Sequence, residues 1–115
     1  DAYFGICMNT DPYTYLGNRP LHLAPSATLD TGLSMVTLRT LRLVSVARAG
    51  GSALARGSGL KSGRHMDVRH DLDEIVVRSL GTPLPHQVDG DYLGPVEELR
   101  IRHVPDALRL VLPTP

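Results

Sequence analysis

Cysteine is nearly absent from this sequence: Cys7 is the single one in 115 residues, so no internal disulfide can form. It lies in an apolar strand-like run, and the simpler setting is a reducing, intracellular one; the expected location is cytoplasmic. An excess of either charge is missing too. Twelve Lys and Arg balance twelve Asp and Glu, whereas a nucleic-acid partner normally demands a basic surplus, so nucleic acid is not expected as a partner. No apolar run reaches the roughly 18 residues that would cross a bilayer, and no secretory signal pattern is visible. The sequence also lacks an initiator Met and opens directly on a strand pattern, which leads us to expect a part of something longer. Its five histidines (His22, His65, His70, His86 and His103) show no ligand-like spacing with Cys7 or with one another. Gly57-Ser58-Gly59-Leu60-Lys61-Ser62 is not a phosphate loop, because Leu60 stands where a glycine should precede the lysine.

What is present is a chain of short strand signals. Tyr3 to Met8 is an apolar run closed by the turn chemistry of Asn9-Thr10-Asp11-Pro12. Tyr13 to Leu16 is β-prone and stopped by Gly17-Asn18. Leu21 to Ala24 leads into Pro25, which disfavours helix in the residue before it. Leu33 to Leu38, Met66 to Arg69, Glu74 to Leu80, Pro85 to Val88, Glu98 to Val104 and Asp106 to Pro113 read as further strands. The exception lies at Leu38 to Ala49, where Leu38, Leu41, Val44, Ser45 and Val46 could share a helical face; Gly50-Gly51 is expected to interrupt or end it. Gly57 to Gly63 is the most flexible segment by composition. Seven to nine strands and one helix make the fold class mainly β: a single domain over 1–115, built as a two-sheet β-sandwich-like domain with one helical insertion.

The stretch Gln87-Val88-Asp89-Gly90-Asp91-Tyr92-Leu93-Gly94 combines a hairpin signal with two carboxylates. Asp-Gly between apolar runs marks a tight β-turn, and taken alone it is a solvated turn. Its company adds a second reading. Asn9 after the first strand, Gly17 at the next turn, Leu23-Ala24-Pro25-Ser26-Ala27-Thr28-Leu29-Asp30-Thr31-Gly32-Leu33, Val88-Asp89-Gly90-Asp91, and Val104-Pro105-Asp106-Ala107-Leu108 with Val111-Leu112-Pro113 follow one another in an order that resembles the C-terminal domain of the diacylglycerol kinase and sphingosine kinase family, in its bacterial lipid-kinase branch. The likeness covers nearly the whole chain.

That resemblance implies a two-domain kinase whose N-terminal α/β domain carries a GGDG nucleotide loop. This sequence has no GGDG. It would be the lipid-side, C-terminal half, with the nucleotide-binding domain absent and no activity of its own. The complete enzyme would use ATP and magnesium to phosphorylate diacylglycerol or a related lipid. Magnesium takes oxygen ligands, commonly one or two carboxylates with water and phosphate. On the resemblance, Asp89 is the catalytic candidate, metal-linked or base-like; Gly90 permits the turn and Asp91 supports the charge cluster on the cofactor side. Asp91 departs from the family's usual Glu by one methylene. Asp30 is a second metal candidate, but Thr31 stands where the family has its second acid, and Asp30 could equally make an Asx turn onto its own backbone. Implied partners are the lipid, the missing kinase domain, a membrane surface touched peripherally, and a second copy in a homodimer. The alternative is a non-catalytic β-sandwich that binds a lipid or a protein.

Overall fold

The first strand, β1 (Phe4–Met8), is a short run without a charged residue, Phe-Gly-Ile-Cys-Met, and grows more buried toward Met8. The computed structural model describes residues 1–42, 46–47, 50–51 and 60–107. Among them nine strands are formed: β1, β2 (Thr14–Leu16), β3 (Arg19–Leu21), β4 (Leu33–Leu38), β5 (Met66–Leu72), β6 (Glu74–Arg78), β7 (Leu84–Val88), β8 (Asp91–Val96) and β9 (Glu98–Arg102). The protein is mainly β, and its strands fall into one three-stranded and three two-stranded sheets. Val46, Ala47, Gly50 and Gly51 are helical, and whether the glycine pair ends the helix falls on residues outside those described. The other residues of the expected helix, the glycine-rich segment up to Gly59 and positions 108–113 of the expected last strand lie outside the described residues; the first residue of that expected strand, Asp106, is instead in a turn with φ 54°.

The chain divides into two compact units, Asp1–Leu72 and Asp73–Pro115. In the first, β1, β4 and β5 form an antiparallel sheet in the order β1-β4-β5. Cross-strand partners Phe4 and Leu38, Ile6 and Val36, and Met8 and Ser34 put one row of side chains on a single face. Val68 and Met66 join that row through their pairing with Val36 and Leu38. The hydrophobic core forms against this face: Met8, Leu23, Ala24, Ala27, Val36 and Leu60 are buried, with Ile6, Leu21, Met66 and Val68 packed around them. Thus the register of β1, β4 and β5 sets which side chains share the covered side of the sheet.

Between Leu33 and Met35 the β4–β5 register slips. His70 and Asp71 of β5 together face Ser34, and Asp71 takes a positive φ of 55°. A bulge of this kind re-aims side chains. Gly32 lies directly against it, where a Cβ would come within 2.8 Å of the Leu72 carbonyl oxygen.

β2 and β3 form a separate hairpin. Leu16 pairs with Arg19 across Gly17-Asn18, and Gly17 takes φ 60°, as a two-residue connection with glycine first requires.

In the second unit β6 pairs with β9, and the β7–β8 hairpin is nested between them in sequence. Ile75 opposite Ile101 and Val77 opposite Leu99 supply the apolar face. The other face carries Glu74 opposite Arg102, Val76 opposite Arg100 and Arg78 opposite Glu98. Arg100 and Arg102 occupy this solvated face, as their alternation with Leu99 and Ile101 predicts.

Candidate functional site

In the first unit the apolar face of the sheet is not completely filled by the described residues. A cavity of about 170 Å³ remains, lined by Phe4 and Ile6 of β1, Val36 and Leu38 of β4, Leu21 of β3, Leu23 and Leu60 from the covering loops, and Val46 and Gly50 of the helical segment. Its walls are almost wholly carbon. Such a half-open, carbon-lined pocket is suited to an apolar group. Phe4, about half exposed, stands at its opening.

The loop that covers this face is held by groups that no sequence pattern singles out. Asp11, at the end of the turn after β1, is buried at its side chain (5% exposed). Its Oδ1 accepts hydrogen bonds from the backbone N–H groups of Leu23 (3.0 Å) and Ala24 (3.1 Å), and its Oδ2 meets His22 Nδ1 at 2.5 Å. The carboxylate therefore joins both ends of the β2–β3 hairpin, and the Tyr13 N–H adds a bond to the Leu21 carbonyl at 3.0 Å. A buried carboxylate with three donors is satisfied, which makes this a structural clamp.

The bulge on β5 builds a second cluster. His70 Nδ1 lies 2.8 Å from Ser26 Oγ and 3.2 Å from Ser34 Oγ, and Ser34 is 1% exposed. Asp71 Oδ1 accepts the Gly32 N–H at 2.9 Å. In the loop between, the Thr31 hydroxyl donates to the Thr28 carbonyl at 3.0 Å and accepts from the Thr28 N–H at 3.2 Å. Hence Thr31 and Asp71 close the Thr28–Gly32 turn. Asp30 is exposed, and neither the Asx turn nor a cluster of metal-ligating side chains forms around it among the described residues.

In the second unit the acidic stretch is a hairpin tip. Val88 pairs with Asp91, leaving Asp89 and Gly90 as a two-residue connection with φ of 50° and 93°. Two positive φ values are what a type I′ turn demands, and Asp-Gly is among the few pairs that adopt it readily. Asp89, Gly90 and Asp91 are all exposed, and neither carboxylate has an ion-pair partner among the described residues. A bulge follows, because His86 pairs with Gly94 but Gln87 with Tyr92. His86 Nδ1–H donates to the Gly94 carbonyl at 2.8 Å, which directs this half-buried imidazole into the bulge. Asp89 and Asp91 could supply one or two oxygen ligands to a magnesium that keeps water and phosphate as its others. A closed all-protein metal site is not formed: no group of three or more His, Cys, Asp or Glu converges among the described residues.

Below the tip, Glu74 meets Arg100 at 3.2 Å and Arg102 at 3.4 Å, and Glu98 meets Arg78 at 2.7 Å and Arg100 at 3.3 Å. Hydrogen bonds from Arg100 hold the Glu74 carboxyl below its ordinary value, and those from Arg78 do the same for Glu98.

Comparison of the chain with protein-family models, with curated proteins and with solved structures yields no match.

Proposed function

We propose that this chain is the lipid-side, β-sandwich-like part of an ATP-dependent lipid kinase, one that transfers the γ-phosphoryl of ATP to a hydroxyl of diacylglycerol or a related lipid. The observation that carries the reading is the carbon-walled cavity on the β1–β4 face, a place for an apolar portion of a substrate. The ordered blocks of sequence from Asn9 to Pro113 and the solvent-facing acidic hairpin support it. In such an enzyme magnesium neutralises phosphate charge during transfer. Asp89 is then the catalytic candidate, with Asp91 beside it and Gly90 fixing the turn. The nucleotide loop would come from an α/β domain that this sequence does not contain, so the chain by itself is expected to be inactive.

The test is Asp89→Asn in the complete protein. Turnover should fall by about two orders of magnitude or more, as loss of a general base or metal-linked carboxylate does, while thermal stability stays nearly constant because the side chain is exposed. Unchanged turnover would remove Asp89 from the mechanism. A second reading rests on the same cavity: a β module that binds an apolar ligand without phosphoryl transfer. It would be preferred if ligand binding were found and no lipid were phosphorylated by the complete protein.

A further inference from the structure

Two hairpins of this chain present apolar tips to solvent, and their charges differ. On β7–β8, Val88, Tyr92 and Leu93 are exposed beside the carboxylates of Asp89 and Asp91. On β2–β3, Tyr15 (63% exposed) and Leu16 (66% exposed) share the segment Pro12 to Leu21 with a single charged residue, Arg19, and no Asp or Glu. Asp11, the nearest acid in sequence, is buried and already bound to His22, Leu23 and Ala24. All three residues of β2 are exposed. A two-stranded hairpin is marginal alone, yet this one is fixed at its base by the Asp11 carboxylate and by Leu21, which packs against the core. Its inner strand contributes Leu21 to the wall of the apolar cavity.

We infer that the β2–β3 hairpin is an interfacial anchor: it lays Tyr15 and Leu16 into the headgroup region of an anionic lipid surface, with Arg19 paired to lipid phosphate. Tyrosine favours that interface because its ring is apolar and its hydroxyl wet, and a basic residue near the surface adds attraction to anionic lipid. The base of the anchor borders the cavity, so a lipid would reach Leu21 and Phe4 without the hairpin leaving the surface. The choice of a lipid partner rests on the proposed kinase reading; the anchoring itself requires no phosphoryl transfer.

The chain has no tryptophan, so Tyr15→Trp places a unique reporter on this hairpin and Tyr92→Trp places one on the acidic hairpin. Each variant, with its far-UV circular dichroism matched to the parent, is mixed with vesicles of phosphatidylcholine alone or with phosphatidylglycerol, some carrying brominated acyl chains. For Tyr15→Trp, emission shifts to the blue and is quenched by brominated lipid, more strongly with phosphatidylglycerol; Tyr92→Trp is quenched little. Adding Leu16→Asp to Tyr15→Trp lowers vesicle affinity at least tenfold, and adding Arg19→Glu removes the preference for anionic lipid. Equal quenching at the two positions, or none at Tyr15→Trp, overturns the proposal. Absence of vesicle binding together with concentration-dependent self-association through this hairpin overturns it in favour of a second copy of the chain. Since no phosphorylation is read, these outcomes are independent of whether the complete protein is a kinase.

Discussion

At the scale of single residues, Asp11 organises more of the first unit than any other polar group described. Its carboxylate accepts two backbone N–H groups and meets His22, and replacing it by Ala leaves those donors without a partner in a largely buried place. Asp11→Ala should lower unfolding free energy by about 3 kcal/mol, the order expected for losing charge-assisted bonds and stranding their donors. Urea denaturation measures it. His22→Ala should cost less, because His22 is partly exposed and both backbone bonds to the carboxylate survive. Neither role is visible in the sequence: Asp11 looks like ordinary turn chemistry before Pro12, and only the fold brings it to residues eleven to thirteen positions later. Cys7 is a simpler case. Burial raises its thiol above the ordinary value, so little thiolate forms at neutral pH, and alkylation of the folded chain should be many times slower than that of the denatured chain.

The elements divide into those dictated by local pattern and those set by tertiary contact. β4 occupies Leu33–Leu38, the segment its alternation predicts, and the Asp89-Gly90 turn follows from the few residue pairs that tolerate two positive φ values. β5 extends to Leu72, beyond the expected Arg69, because a bulge at His70 and Asp71 lets the pairing continue past Ser34. Bulges depend on the partner strand, so no periodicity announces them. The same region predicts an asymmetry between glycines. At Gly32 an added Cβ meets the Leu72 backbone at 2.8 Å, whereas at Gly5 it meets the mobile end of Met35 at 2.6 Å. Gly32→Ala should therefore lower the melting temperature markedly and Gly5→Ala only slightly.

On β6–β9 the charged face makes a different forecast. Arg100 and Arg78 hold Glu74 and Glu98 below the ordinary 4.5. A carboxyl depressed by folding stabilises the native state above its unfolded value, and that contribution disappears as pH falls through the lower folded values. Stability should thus decline on acidification below 4.5, and Glu74→Gln with Glu98→Gln should flatten that part of the profile. The ladder is exposed, so raised salt should weaken its contribution as well.

At the scale of the whole molecule, the β-rich class was legible because turn residues recur between short apolar runs. The division at Leu72 and Asp73 was not, since no change of composition marks it and the strands on either side have similar patterns. The cavity was legible in part: alternation shows which residues of β1 and β4 share a face, but that about 170 Å³ remains unfilled depends on how Leu21, Leu23 and Leu60 cover that face. It supplies its own forecast. Ile6→Phe directs additional carbon into the cavity, so stability should change by about 1 kcal/mol or less while affinity for an apolar ligand falls at least tenfold, as isothermal titration would show. Among the described residues no helix is long and apolar enough to cross a membrane.

Transfer of labelled phosphoryl from ATP to diacylglycerol, in the presence of magnesium, tests the central claim most directly. It should be measured with this chain alone and with the complete reading frame that contains it. The account predicts phosphorylated lipid with the longer protein and none with the chain by itself. Failure of the longer protein to phosphorylate diacylglycerol or any related lipid would contradict the kinase reading and leave an apolar-ligand-binding β module in its place.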